Sequence, residues 1–318
     1  MIKVCNIGAM RYTPFGGFHE MDLPYLEAHG IRFVKDPKEA DILVSQNRKH
    51  LKRYFLKHRN KKKYLIWTLE PRFDTYTQPL RQELFGFVRC HIMNLYTGDV
   101  FVSPLSFHAG LITKTLHPLP ADFKLPNRNV VGLMSFYKGL ATEKVMYHGK
   151  DVDLIKKRTA IGLYGHEQGV MHIFGKGWPA GVSKEDSREG DWVGRKGNVL
   201  DPYHFNLSFE NTAVPRYTTE KIWDSIAGYC LPIYYGEGTE IYSLFPENSF
   251  IDYAKMEGPA QLFEYITEMS DAAYVARLNA CIAVYNNISS LGKPFAEQQR
   301  GLALASIVQK LTKITESQ

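Results

Sequence analysis

Between Asn206 and Gly228 the chain reads NLSFENTAVPRYTTEKIWDSIAG. Glu210, Asn211, Arg216, Tyr217, Thr218, Thr219, Glu220 and Lys221, all able to hydrogen-bond or carry charge, crowd into its middle. Phe205, Leu207 and Phe209 alternate with polar neighbours, the pattern of a strand with one buried face, and such a strand delivers Glu210 and Asn211 to its carboxyl end. A helix follows. Thr219 is a good N-cap and Glu220 lies in the first turn, where a carboxylate suits the helix dipole. Ile222, Trp223 and Ile226 form its inward stripe, and Gly228 ends it. The N-terminus of a helix presents unpaired N–H groups and partial positive charge, which suits phosphate. Lys221 adds a full charge, and Tyr217 and Asn211 add neutral donors, so the inventory fits a pyrophosphate. Glu220 would repel phosphate and is better suited to accept hydrogen bonds from sugar or ribose hydroxyls. On these residues alone two readings stand: a nucleotide or nucleotide-sugar site, and a well-capped helix with solvated polar residues.

The surrounding segments supply the elements that must position them. IKVCNIG, IRFVKD, ADILVSQ and KYLIWTLEP read as short strands, the last stopped by Pro71. A loop carrying Phe15, Gly16, Gly17, Phe18 and His19 follows the first strand, and Leu51, Tyr54 and Phe55 repeat at helical spacing. This alternation predicts an α/β layer with a parallel sheet. Pro118, Pro120 and Pro126 punctuate LHPLPADFKLPNRN, where a boundary is placed between domains 1–122 and 123–318. Beyond it, NVVGLMSF reads as a strand, DVDLIKKRTAIGLYGHE as a helix ending in Gly165, and VMHIFGKGW as a strand and turn. PAGVSKEDSREGDWVGRKGN reads as a polar loop, CLPIYYG as a strand, and the last third as helical. Two such α/β halves commonly bind a nucleotide at the carboxyl ends of their strands.

Composition narrows the class. A hydrophobic fraction of 44% and a charged fraction of 23% over 318 residues describe a globular chain with material for one or two cores. The balance of 39 basic to 33 acidic residues is mildly basic, and with no recognisable binding module it argues against a nucleic-acid partner. Nine Lys or Arg fall within Arg48–Lys63. That run reads as a solvated helix face or as a peripheral contact with an anionic membrane surface or acceptor polymer. Cys5, Cys90, Cys230 and Cys281 show no metal-ligand spacing and read as buried hydrophobes in a reducing compartment. No apolar run reaches the length of about 18 residues that a membrane helix needs, and the start of the chain does not read as a signal peptide, so a cytoplasmic protein is expected. The His166-Glu167 and His172 positions read as structural or exposed, and Asp151-Val152-Asp153 as a helix start carrying two carboxylates rather than a metal-holding pair.

FENTAVPRYTTEKIWDSIAGYCLPIYYG resembles the donor-binding signature of the α-1,3/4-fucosyltransferase family, through Phe209, Glu210, Asn211, Tyr217, Thr219, Glu220, Lys221, Pro232, Ile233 and Gly236. NVVGLMSFYKG, FGKGW and the Arg158 of KKRTAIGLY are similar to neighbouring parts of the same domain. In the first half LIWTLEPRF, with Glu70, and MNLYTGDVFVSPLSF, where only Asp99 remains of an Arg-Arg-Asp run, resemble the family less closely. The resemblance implies a bacterial-type enzyme of GT-B architecture: two Rossmann-like domains facing across a cleft. The first would bind acceptor and the second GDP-fucose, with C-terminal helices able to pack back on the first domain. It implies inverting transfer of L-fucose from GDP-β-L-fucose to a GlcNAc- or glucose-containing glycan in α-1,3 or α-1,4 linkage, as in protein or lipopolysaccharide glycosylation, without a metal or further cofactor. Glu70 would be the general base and Glu220 would contact ribose or fucose hydroxyls or steady positive charge. Arg158 and Lys221 would hold the diphosphate, with Tyr217 and Asn211 assisting, and Glu210 would support the loop from behind. Thr219 belongs to the same donor-binding set, and Phe15, Gly16, Gly17, Phe18 and His19 would meet the acceptor. Two alternatives remain at this point: a GDP-sugar transferase with a different donor sugar, and a non-catalytic glycan or nucleotide-sugar binding protein.

Overall fold

Runs such as Ile42–Val44 and Tyr64–Trp67 are hydrophobic at every position, the composition of parallel strands buried on both faces. The computed structural model, which describes residues 1–137, 139, 144–185 and 192–316, uses them in that way. Two α/β units result, one formed by Met1–Phe107 with Pro294–Gln318 and the other by His108–Lys293.

The first unit contains β1 (Ile2–Asn6), α1 (Asp22–Ala28), β2 (Ile31–Phe33), β3 (Ile42–Ser45), α2 (Arg48–His58), β4 (Lys63–Trp67), β5 (Leu80–Glu83) and β6 (Val88–Met93). Its sheet runs β2-β1-β3-β4-β6-β5, parallel except for β5, which pairs antiparallel with β6 at the edge. The second unit contains β7 (Val130–Leu133), a hairpin of β8 (Met146–Tyr147) and β9 (Lys150–Asp151), α3 (Ile155–Glu167), β10 (Met171–Phe174) and β11 (Ser183–Glu185). It continues with α4 (Trp192–Leu200), β12 (Phe205–Leu207), α5 (Glu220–Ala227), β13 (Leu231–Tyr234), β14 (Ile251–Asp252), α6 (Pro259–Glu268) and α7 (Asp271–Ser290). Its sheet is wholly parallel, in the order β11-β10-β7-β12-β13-β14. This is the doubly wound order in which the two halves of the sheet diverge from a central pair, here β7 and β12, and ligands bind beyond the carboxyl ends of such a pair. The last helix, α8 (Gly292–Glu316), lies almost entirely in the first unit. The expectation of two Rossmann-like α/β domains therefore holds unit by unit. Among the described residues no helix is long and apolar enough to cross a membrane.

The division falls at 107/108 and 293/294, not at 122/123, and α8 joins the first unit. Side-chain pairing explains both placements. In the proline-rich segment, Leu116 exchanges two hydrogen bonds with Asn286 (both 2.8 Å), and Leu119 exchanges two with Asn279 (2.8 and 2.9 Å). Two helical turns of α7 rise about 10 Å and three extended residues span about 10 Å, so two asparagines on one helix face match the strap in register. In the first unit Arg300 of α8 makes a bidentate pair with Asp22 (2.7 and 2.8 Å), both side chains buried, and Lys310 reaches Asp99 at 3.0 Å.

Several elements differ in extent from their sequence pattern. The helix expected to stop at Gly165 continues to Glu167, because a Cβ at Gly165 would lie 2.3 Å from the Phe263 ring; the glycine is there for close packing against α6. The polar loop 179–198 contains β11 and most of α4, while its residues 186–191 lie outside those described. Residues 205–210, read as a strand with one buried face, are buried throughout, since β12 is central and covered on both sides. The buried Asn206 donates from Nδ2 to Ser225 Oγ at 2.7 Å. Gly228 does cap α5, but the left-handed turn is taken by Tyr229, at φ 55°.

Two outcomes test this account. Asp22→Ala leaves the Arg300 guanidinium buried without its counter-charge and is expected to destabilise the protein by about 3 kcal/mol, read from urea unfolding; a second change, Arg300→Leu, should recover part of that loss. The other concerns acid. Burial, aided by Lys310, Lys63 and Arg89, pushes the His91 imidazole down to about 4 from its ordinary 6.5. Between those values the unfolded chain binds a proton that the folded chain refuses, so stability is fully present above pH 6.5 and is lost as pH falls toward 4. His91→Gln should flatten that fall when denaturation midpoints near pH 7 and near pH 5 are compared.

Candidate functional site

Glu210 leaves the carboxyl end of β12 with its side chain fully buried. A buried carboxylate needs donors, and the chain returns at Thr219 to supply them. Thr219 N–H donates to Glu210 Oε1 at 2.7 Å, the Thr219 hydroxyl lies 2.8 Å from both carboxylate oxygens, and Lys221 Nζ donates to Oε2 at 2.8 Å. Lys221 also reaches Thr219 Oγ1 at 2.7 Å. Thr219 thus holds the N-cap position of α5 without capping it by its side chain. The helix-capping role expected of its hydroxyl gives way to the stronger demand of a desolvated carboxylate. Burial lowers the Lys221 pKa, but Glu210 and Glu220 outweigh it and raise the value, so the ammonium stays charged.

A second strand of contacts brings α3 to the same place. Leu154 N–H donates to Asn211 O at 3.1 Å, Ala213 N–H to Val152 O at 2.9 Å, and Thr212 Oγ1 to Val152 O at 2.9 Å. Asp153 bridges to Thr212 and accepts from Ile155 N–H at 2.9 Å just before α3, whereas Asp151, read with it as the helix start, ends β9. Arg158, one turn into the helix, is thereby carried to Asn211 and donates Nη1–H to its Oδ1. Its Nε is buried without a hydrogen-bond partner among the described residues. Burial lowers the Arg158 pKa against the pull of Glu210, Tyr137, Tyr217 and Glu220, and a guanidinium remains cationic under such a shift. Tyr217 is buried and bonds Val214 O through its N–H at 3.3 Å.

Glu220 shares Lys221 with Glu210 and meets further basic groups. Lys196 Nζ, Lys221 Nζ and His108 Nε2 each lie 3.9 Å from its carboxylate. Burial raises the Glu220 pKa, but Lys221, Lys196 and His108 more than offset it and hold the carboxyl at about 2. Lys196 of α4 also pairs with Asp224. Burial lowers the His108 imidazole, opposed by Glu220 and Glu210, and its Nδ1 is buried without a hydrogen-bond partner among the described residues. So Arg158, Lys196 and Lys221 face Glu210, Glu220 and Asp224 at the carboxyl edge of the sheet. Lys196, Asp224 and His108 escaped the sequence reading. Asp224, four residues after Glu220, carried a signal in its helical spacing; Lys196 lay in what read as loop, and His108 is distant in sequence. Among the described residues no group of three or more His, Cys, Asp or Glu stands where it could hold a metal ion.

The other predicted residues belong to the first unit. Glu70 is exposed on the turn beyond β4, its N–H donating to Thr68 Oγ1 at 3.0 Å; it does not itself end the buried strand, which closes at Trp67. The Phe15 ring is buried edge-on to Trp67 at 5.7 Å, a core position and not a surface for stacking a sugar. Phe18, in edge contact with Tyr12 at 5.8 Å, is the exposed ring of that loop. Gly16 is required because a Cβ there would meet Met10 O at 2.1 Å, and Gly17 takes φ 68°. His19 N–H donates to Asp22 Oδ2 at 2.8 Å, tying the loop to the buried Asp22–Arg300 pair.

Removing the charge of Glu210 tests the architecture of the second unit. Glu210→Gln keeps the shape but leaves Lys221 and Thr219 without an anionic acceptor, and should cost about 2–3 kcal/mol, read as a lowered thermal unfolding midpoint. Glu240→Gln, at an exposed pair with Arg216, should cost under about 1 kcal/mol.

Comparison with known proteins reaches the same unit. Residues 172–277 match the family described as glycosyltransferase family 10 (fucosyltransferase), C-terminal part. An alpha-(1,4)-fucosyltransferase of Arabidopsis thaliana is 31% identical over 87 residues, 27% of this chain and 21% of its own. A 4-galactosyl-N-acetylglucosaminide 3-alpha-L-fucosyltransferase of Homo sapiens is 33% identical over 73 residues, 22% of this chain and 20% of its own. The chain thus spans about a fifth of the length of these curated relatives. A crystal structure of an alpha1,3-fucosyltransferase with GDP-fucose superposes with a TM-score of 0.45 and 17% identity, covering 87% of this chain and 81% of that one. The chain is thus similar to glycosyltransferase family 10 (fucosyltransferase) over residues 172–277, which lie within the second unit.

Proposed function

We propose that the protein is an α-1,3/4-fucosyltransferase. It moves L-fucose from GDP-β-L-fucose, with inversion, to a hydroxyl of a GlcNAc- or glucose-containing glycan. The observation that carries this reading is the cluster at the carboxyl end of β12. There Arg158 and Lys221 are held in place by Asn211, Glu210 and Thr219, within the unit that matches the family.

In this reading the second unit binds the donor. Arg158, Lys221 and the N–H groups at the start of α5 take the diphosphate, with Tyr217 and Asn211 assisting, and Lys196 adds a third cation. As the bond from the fucosyl anomeric carbon to the diphosphate oxygen breaks, negative charge grows on the departing GDP, where fixed cations stabilise it. Glu220, ionised throughout the working pH range, accepts from ribose or fucose hydroxyls or steadies positive charge on an oxocarbenium-like sugar, by analogy with glycoside hydrolysis. The first unit serves the acceptor, whose hydroxyl gives its proton to Glu70 as its oxygen bonds to the anomeric carbon. Phe18 and His19 are the loop residues suited to meet the acceptor, while Phe15, Gly16 and Gly17 set the shape of that loop. The four buried, unpaired cysteines support a reducing, cytoplasmic setting.

Calorimetry with GDP, GDP-fucose, GDP-mannose and UDP-sugars, followed by GDP release on a small panel of acceptors, tests the reading. Preference for GDP-fucose with acceptor-dependent release is expected. Binding of GDP without preference for fucose would move the function to another GDP-sugar, and nucleotide-sugar binding without turnover would make the protein a binding module. Lys221→Ala should abolish detectable transfer and weaken GDP binding at least tenfold, the loss of a charge-assisted contact of about 1.5–3 kcal/mol. Glu70→Ala should abolish transfer and leave GDP affinity within about twofold; retained turnover with lost affinity would reverse the assignment of the two units.

A further inference from the structure

The first unit carries a feature that sugar transfer does not use. The turn joining β5 to β6, Leu84-Phe85-Gly86-Phe87, places one ring fully in solvent at Phe85 and another 69% exposed at Phe87. Leu84, Phe85 and Gly86 all have positive φ (49°, 56° and 94°), a conformation that non-glycine residues adopt reluctantly and that holds the tip in one shape. The tip is fastened to α2 at two points. Arg48 makes a bidentate pair with Glu83 (both bonds 2.6 Å), and Leu84 packs against the cluster that contains Leu51, Tyr54 and Phe55 of α2.

The outer surface of α2 and the turn after it is cationic. Arg48–Lys63 contains no Asp or Glu, and Lys49, Lys52, Arg53, Lys57, Arg59 and Lys61 are exposed. Leu56, 67% exposed, lies among them. Exposed apolar rings are unfavourable in water, and like charges packed along one helix repel. One partner relieves both: a surface that is anionic at its face and apolar just beneath.

We propose that the Leu84–Phe87 tip and the α2 surface together form a docking site for an anionic lipid bilayer, with Phe85 and Phe87 entering the headgroup–acyl boundary and the lysines and arginines meeting lipid phosphates. Neither half suffices alone, since stable peripheral attachment generally takes two weak signals, one apolar and one polybasic. An anionic polymer would satisfy the charges but would leave both phenylalanines in water, which is why the bilayer is the occupant chosen.

Flotation of the full chain with vesicles decides it. Vesicles of phosphatidylcholine with about a third phosphatidylserine should capture the protein, neutral phosphatidylcholine vesicles should not, and raising salt toward about 0.5 M should release it. Phe85→Ser with Phe87→Ser, and separately Lys49→Glu with Lys52→Glu and Lys57→Glu, should each weaken capture about tenfold or more. In Phe85→Trp the indole emission should shift to the blue on adding anionic vesicles. The altered side chains are exposed, so thermal midpoints should match the parent chain, and the Trp variant supplies a reading that does not depend on the serine pair folding. Capture lost with the charges but kept with both serines, an unshifted emission, or binding to a soluble polyanion with none to vesicles would each overturn the proposal.

Discussion

A carboxylate without solvent must be answered by donors, and the second unit is arranged around that demand at Glu210. Its oxygens collect a backbone N–H, a hydroxyl and an ammonium, all from the segment that begins α5. To bring those groups back, the chain from Thr212 to Thr218 folds over with Val214, Tyr217 and Thr218 buried, and Arg216 takes φ 63°. A non-glycine residue in that region costs roughly 1–2 kcal/mol. An unpaired buried charge costs about 3–5 kcal/mol. The strained turn is therefore the smaller penalty, and it fixes Lys221 where a mobile lysine would otherwise sweep through solvent.

Arg158 is fixed by other means. It approaches from α3, whose first residues are laced by backbone bonds to the segment leaving β12. Both cations therefore sit on rigid elements whose positions derive from the order of the sheet, β7 beside β12. Preorganisation of this kind is what electrostatic stabilisation requires, since a charge already in place needs no rearrangement as the reaction proceeds. In the structure the three cations are offset by three carboxylates, so the cluster is nearly neutral without being unpaired.

Much of this was legible from residue order. Apolar runs located the parallel strands, the stripe of Ile222, Trp223 and Ile226 set the orientation of α5, and the polar residues between β12 and α5 marked the site. Pairing over long sequence separations was not legible. Nothing local to Asp22 points to Arg300, 278 residues away, so the pair that ties α8 to the first unit could not be read, although the family resemblance allowed C-terminal helices to pack back there. Nothing local to Leu116 and Leu119 points to Asn286 and Asn279, so a strap read as a linker. Phe15 and Phe18 look equivalent in sequence, yet one is core and the other exposed, because burial depends on whether Trp67 lies opposite. Thr219 looked like a helix cap because its position is one; its hydroxyl was drawn elsewhere by a carboxylate that sequence placed only as a near neighbour.

Three glutamates in the proposed machinery show how environment separates roles that composition cannot. Glu210 is buried and surrounded by donors of its own chain, which suits it to support. Glu220 is ringed by Lys221, Lys196 and His108 and held at about 2. So weak a base is a poor acceptor for a hydroxyl proton near neutrality, but it is a dependable fixed charge. Glu70 is exposed on a short turn, its N–H donating to Thr68 Oγ1. A general base must be reachable and must be able to hold the proton it takes. Glu210 fails the first requirement and Glu220 the second. The proposed division of labour puts support at Glu210, charge at Glu220 and proton acceptance at Glu70.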